Sequence, residues 1–136
     1  MASYPLTEVE AIAPFYVAKL KSVGIRSTTT LLKRASTPKL RKQLSEAANI
    51  PIKLILDWAN IADLTRVRGI ALDYAELLAA AGVDTVKDLS RRNAANLVAR
   101  LGEVNGKKKR VDLLPTVKRV DGWIAAAKSL TPGMDY

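Results

Sequence analysis

The chain has 136 residues, 49% of them hydrophobic, and a formal charge of +9, enough for one well-buried domain or for two small halves that share a core. It contains no cysteine and no histidine, which excludes a disulfide frame, thiolate chemistry, the commonest metal ligand and the commonest general base near neutral pH. No run reaches the ~18 apolar residues of a membrane span, and Met-Ala-Ser-Tyr-Pro at the start lacks the basic and apolar regions of an export signal, so a cytoplasmic protein without a membrane partner is expected.

Helices are predicted almost throughout. Thr7-Glu8-Val9-Glu10 has the capping-box pattern and predicts a short helical turn that Pro14 ends. Proline suits the first helical position, so a helix runs from Pro14 to Val23 with Gly24 as its left-handed cap. Ser27 caps a helix through Arg34, Thr37-Pro38 opens another through Ala48, and Pro51 opens a longer one with Ile52, Ile55, Leu56 and Ala59 on successive turns. After a turn at Gly69-Ile70-Ala71 come a helix to Ala81 with Gly82 as cap, a short one from Thr85 to Ser90, and one from Asn93 towards Leu101. Gly102, Asn105 and Gly106 mark a loop, Lys107-Lys108-Lys109-Arg110 follows, and Thr116 caps a last helix whose Val117, Val120, Ile124 and Ala127 form an apolar stripe.

Part of this series is said twice. Ile12, Ala13, Tyr16, Leu20, Gly24 and Ile25 return 58 positions later as Ile70, Ala71, Tyr74, Leu78, Gly82 and Val83. Val9 with Val67, Ser27 with Thr85 and Leu31 with Leu89 extend the echo, so the repeated unit is a substantial piece of structure. The expected architecture is all-α with an internal pseudo-two-fold repeat. It is a single domain over 1–136 with halves at about 7–50 and 63–101, joined by a helix at 51–62 and closed by a C-terminal helix at 116–129.

Charge follows the repeat as well. Residues 19–53 hold nine Lys and Arg against Glu46 alone, and residues 87–119 hold ten against Asp88, Glu103 and Asp112, while 54–86 is net acidic. Two basic blocks at matching places suggest one extended positive face, whose natural partner is a polyanion; a solvated surface that maintains solubility is the bland alternative for either block.

Val67-Arg68-Gly69-Ile70-Ala71, followed by Leu72-Asp73-Tyr74-Ala75-Glu76-Leu77-Leu78-Ala79-Ala80-Ala81-Gly82-Val83, resembles a helix-hairpin-helix motif, with Ala71 in place of its second glycine. The tandem arrangement, from about Thr7 to Leu130, resembles a bacterial domain-of-unknown-function family of paired helix-hairpin-helix units. That resemblance implies a SAM-like helical bundle that binds double-stranded DNA through its phosphates without reading sequence. Such a hairpin needs glycine for close backbone approach and free amides aimed at a phosphate. In the first copy Ala11-Ile12-Ala13 replaces both glycines and Pro14 offers no amide. In the second, Gly69 and Arg68 favour an anion, while Asp73 in the first helical turn repels one.

Affinity is therefore expected from the basic blocks more than from the hairpins. The candidate nucleic-acid-binding residues are Lys33, Arg34, Lys39, Arg41 and Lys42 in the first block, Arg68 and Gly69 at the second hairpin, Arg91 and Arg92 before the helix at Asn93, and Lys107, Lys108, Lys109 and Arg110. Tyr16, Tyr74, Trp58 and Trp123 read as core residues. Asp57 and Asp63 lie six apart and point to different sides of one helix. With no EF-hand loop and no Gly-rich phosphate loop either, no catalytic residue, metal or cofactor is expected. The expected function is non-enzymatic, sequence-independent binding of nucleic acid, with duplex DNA favoured. The alternative is a scaffolding module for an acidic protein, in which the hairpins are only structural corners.

Overall fold

The computed structural model describes residues 2–136. Among them stand a 3-10 turn, Leu6–Glu8, and eight helices: α1 Pro14–Ser22, α2 Thr28–Arg34, α3 Pro38–Ala48, α4 Ile52–Leu64, α5 Leu72–Ala80, α6 Val86–Leu89, α7 Ala94–Lys107 and α8 Val117–Ser129. The described residues form no strand beyond an isolated bridge between Pro5 and Ser27. The described residues are thus all-α, and none of their helices is long and apolar enough to cross a membrane.

Local chemistry explains most helix starts. Ser27, Thr37, Thr85, Asn93 and Thr116 each accept a hydrogen bond from the amide three residues on, a cap typically worth ~1 kcal/mol. Both α1 and α5 end on a glycine of positive φ, +87° at Gly24 and +92° at Gly82. The next amide then reaches back to the helix, from Ile25 to the Leu20 carbonyl at 2.9 Å and from Val83 to Leu78 at 3.0 Å.

Three expectations change. The Thr7 capping box does not form, and Leu6–Glu8 has no side-chain cap. This segment is instead tied to the start of α2, where Leu6 donates to the Arg26 carbonyl and Thr28 to that of Tyr4. The expected loop at Gly102–Gly106 is helical, because α7 continues to Lys107. Buried Leu101 and the flanking Val98 and Val104 hold it against the second core, which outweighs the ~1 kcal/mol that an interior glycine costs. Val117 is exposed; Val120, Ile124 and Ala127 form the buried stripe with Trp123.

Two cores sit side by side. The first gathers Leu20, Leu31, Leu44 and Ile50 around Ile55, Trp58, Ala59 and Ala62 of α4. The second gathers Leu77, Leu78, Leu89, Leu97 and Leu101 around Val120, Trp123 and Ile124 of α8, and takes Ile61 and Leu64 from α4. α4 is therefore a shared spine, and every residue on it from Trp58 to Leu64 is buried. It packs on α2 and α3 much as α8 packs on α6 and α7, so α8 takes in the second half the place that α4 takes in the first. The aromatic pairs agree: Tyr16 leans on Trp58 at 5.3 Å between ring centroids, and Tyr74 on Trp123 at 5.5 Å. Both Trp are core, and both Tyr are half-buried.

The segment after α8 returns to the first half. Met134 enters the first core, the Asp135 amide donates to the Ser36 carbonyl at 2.8 Å, and the Tyr136 hydroxyl donates to Asn60 Oδ1 at 2.6 Å. Arg66, which pairs with buried Asp63 at 2.9 Å, also donates to the Thr131 carbonyl.

Candidate nucleic-acid interface

The basic residues divide according to what already holds them. Arg41 does not reach the surface. It is 5% exposed, donates to the Ala35 carbonyl at 2.8 Å and to the Asp135 carbonyl at 2.6 Å, and lies over the Tyr136 ring. Its guanidinium therefore ties the C-terminal segment to α3 and cannot also meet a phosphate.

Arg34 and Arg92 recur 58 positions apart because both serve a helix end. Arg34 Nη1 donates to the Val23 carbonyl at 3.2 Å, and Arg92 Nη2 to the Gly82 carbonyl at 2.8 Å. A cation at these carbonyls also complements the helix dipole. Arg92 further grips both carboxylate oxygens of Asp88, at 3.2 and 3.0 Å. Burial raises the Asp88 carboxyl, but the Arg92 hydrogen bonds, the Asp84 amide and the Arg92 and Arg91 charges outweigh it and hold Asp88 below the ordinary aspartate range. Recurrence of charge in the repeat is thus partly structural.

The run after α7 is also engaged within the chain. Asn105 Oδ1 accepts from the amides of Arg110 and Val111, while its Nδ2 donates to the Val111 carbonyl, so the cations sit on an ordered turn. Lys108 faces Glu10 at 3.9 Å and Lys109 pairs with Asp112 at 3.0 Å. All four of these side chains are largely exposed, so these pairs hold little energy against solvent and salt. Arg110 Nη1 donates to the Lys108 carbonyl, and Lys107, the last residue of α7, is exposed.

Lys33, Lys39 and Lys42 stand exposed on α2 and α3, and Arg68 and Arg91 are exposed beside the second half. A cleft of about 220 Å³ collects Arg91 and Arg92 with Asn93, Asn96, Leu97 and Arg100. Arg100 was not among the sequence candidates. The signal was its spacing, since Asn93, Asn96 and Arg100 repeat at three and four residues and so share one face of α7.

The two junctions that precede α1 and α5 differ. At the second, Gly69 has φ +94°, and a Cβ there would stand 3.2 Å from Trp123 Nε1. The backbone therefore favours glycine, and the Trp123 ring would have to give by a few tenths of an ångström to admit a side chain. Arg66, Arg68, Gly69 and Ala71 line a cleft of about 390 Å³ with Tyr4. Among the described residues no acceptor meets the amides of Gly69, Ala71 and Leu72. The Asp73 carboxylate turns onto the next amide, that of Tyr74, at 2.8 Å. At the first junction Ala11 has no left-handed backbone, and its amide is taken by the Glu76 carboxylate of α5 at 3.2 Å. Glu76 was not among the sequence candidates, because its partner lies 65 residues away.

Comparison with known proteins gives one match. The family model of a domain of unknown function (DUF4332) matches residues 10–130. No curated protein and no solved structure matches the chain.

Proposed function

The chain belongs to the DUF4332 family, and we propose that it is a tandem helix-hairpin-helix, SAM-like protein that binds double-stranded DNA through phosphates, without base readout and without catalysis. The observation that carries this reading is the second junction, where backbone amides with no acceptor among the described residues stand beside exposed Arg68 on a backbone that glycine adopts most easily. Amides at such a turn and helix start attract an anion. Exposed Arg91 and Arg100, at the cleft where Arg92 is already held by Asp88 and the Gly82 carbonyl, offer a second set of donors, and a formal charge of +9 supplies the long-range attraction.

The test is duplex-DNA binding measured across a salt series. The logarithm of the affinity should fall linearly with the logarithm of salt concentration, at a slope of about −0.9 per phosphate neutralised. Arg68→Ala and Arg91→Ala should each flatten the slope by about one phosphate. Arg41→Ala should leave it unchanged in folded protein. A flat response to salt, or no binding at ~50 mM salt, refutes the reading.

A protein-interaction module is the second reading, and exposed apolar side chains favour it. Leu113, Leu114 and Val117 lie together in the sequence at 73, 38 and 43% exposure. On this reading changing Lys107 to Arg110 to alanine leaves function intact, whereas Leu113→Ser abolishes an association measured by sedimentation.

A further inference from the structure

We propose that Glu76 fills, from within the chain, the anion seat of the first junction, so that this junction joins the two halves while only the second is open to phosphate. The inference rests on the phosphate-binding reading of the junctions. The Ala11 amide donates to Glu76 Oε1 at 3.2 Å, and the Glu10 amide also favours the Glu76 charge. Ala11 is the counterpart of Gly69, 58 positions on. The same amide that is open in one copy is therefore closed by a carboxylate in the other. Around the carboxylate, Glu10, Lys108 and Arg110 line a cleft of about 250 Å³ with Ala11, Ile61, Ala79 and Ala80.

With the Glu10 charge offset by Lys108, which faces it at 3.9 Å, the amide donors and Arg110 are groups that a phosphate would also accept from, since carboxylate and phosphate oxygens accept from the same donors. A fixed carboxylate in that place has an effective concentration that a free phosphate must overcome, and its charge repels the competitor. Glu76 is not placed there to strengthen the fold through its charge. Burial raises its carboxyl above the ordinary glutamate range, Glu10 adds to the rise, and the Ala11 and Glu10 amides and Arg110 only partly oppose it. A raised carboxyl contributes stability that is present below its unfolded value and lost as pH rises through its folded one. Ionised Glu76 therefore costs stability at neutral pH while holding the amide.

The test follows the backbone amide signals of the nitrogen-labelled full chain as inorganic phosphate is added to the native, Glu76→Ala and Glu76→Gln proteins. In the native protein phosphate should leave the Ala11 signal in place. In Glu76→Ala that signal should move, with phosphate affinity at this junction raised by about tenfold or more. Glu76→Gln keeps an acceptor but no charge, so its response should lie between. An Ala11 signal that ignores phosphate in folded Glu76→Ala, or that responds equally in the native protein, overturns the proposal. Should Glu76→Ala fail to fold, Glu76→Gln decides: its Ala11 signal must respond where the native one does not. The Gly69 and Leu72 signals report on the second junction separately. If they stay silent, the DNA-binding reading loses its main support, while the response at Ala11 still decides the part played by Glu76.

Discussion

At the residue scale, the arginines show how little a cation's position in the sequence says about its duty. Arg41 satisfies two carbonyls inside the protein, and removing it leaves both without their charged donor. Arg41→Ala should cost about 2 kcal/mol or more of unfolding free energy by urea titration, while DNA affinity of the folded variant stays within error. Asp88 gives the complementary case in pH. Its folded carboxyl lies below the ordinary value of 3.8, so the stability it contributes is present above that value and is lost as pH falls through the depressed one. Asp88→Asn should therefore be less stable than the native chain at neutral pH, and the gap measured by thermal unfolding should close only in acid below 3.8.

At the element scale, what was legible in the sequence is what is decided within a few residues. Ser27, Thr37, Thr85, Asn93 and Thr116 cap the helices they were expected to cap, because each bond spans three residues. The end of α7 was not legible. Gly102, Asn105 and Gly106 read as a loop by composition, and only packing of Leu101 and Val104 on the second core keeps them helical. The second junction was half legible: Gly69 stood out, but the ring of Trp123 that crowds a side chain there lies 54 positions on. The two kinds of glycine should respond oppositely to alanine. Gly69→Ala meets a positive φ and a contact at 3.2 Å, and should destabilise by more than ~1 kcal/mol. Gly106→Ala sits in a helix with open space around it, and should stabilise by up to ~1 kcal/mol. Parallel chemical denaturation of the two variants checks both signs.

At the scale of the whole molecule, two cores are held in one body by α4 and by the segment that follows α8. That segment was invisible to sequence reasoning, since the bond from Arg41 to Asp135 closes 94 residues. Its grip is unequal: Met134 belongs to the first core, Ser36 and Arg41 that bind the segment lie in the first half, and Asn60 lies on the shared helix α4. Removing residues 131–136 would open the Met134 site and leave the Arg41 guanidinium short of one acceptor. It would take only the Thr131 carbonyl from Arg66, whose pairing with Asp63 remains. The loss should therefore fall on the first core, at about 2–4 kcal/mol for a buried methionine with its hydrogen bonds. Hydrogen exchange resolved by segment distinguishes this from a general loosening. Amides of α3 should exchange faster after truncation while those of α7, anchored by Leu97 and Leu101 in the second core, change little. Equal acceleration in both helices would mean that the shared spine α4 couples the cores so tightly that the strap stabilises the molecule as a single unit.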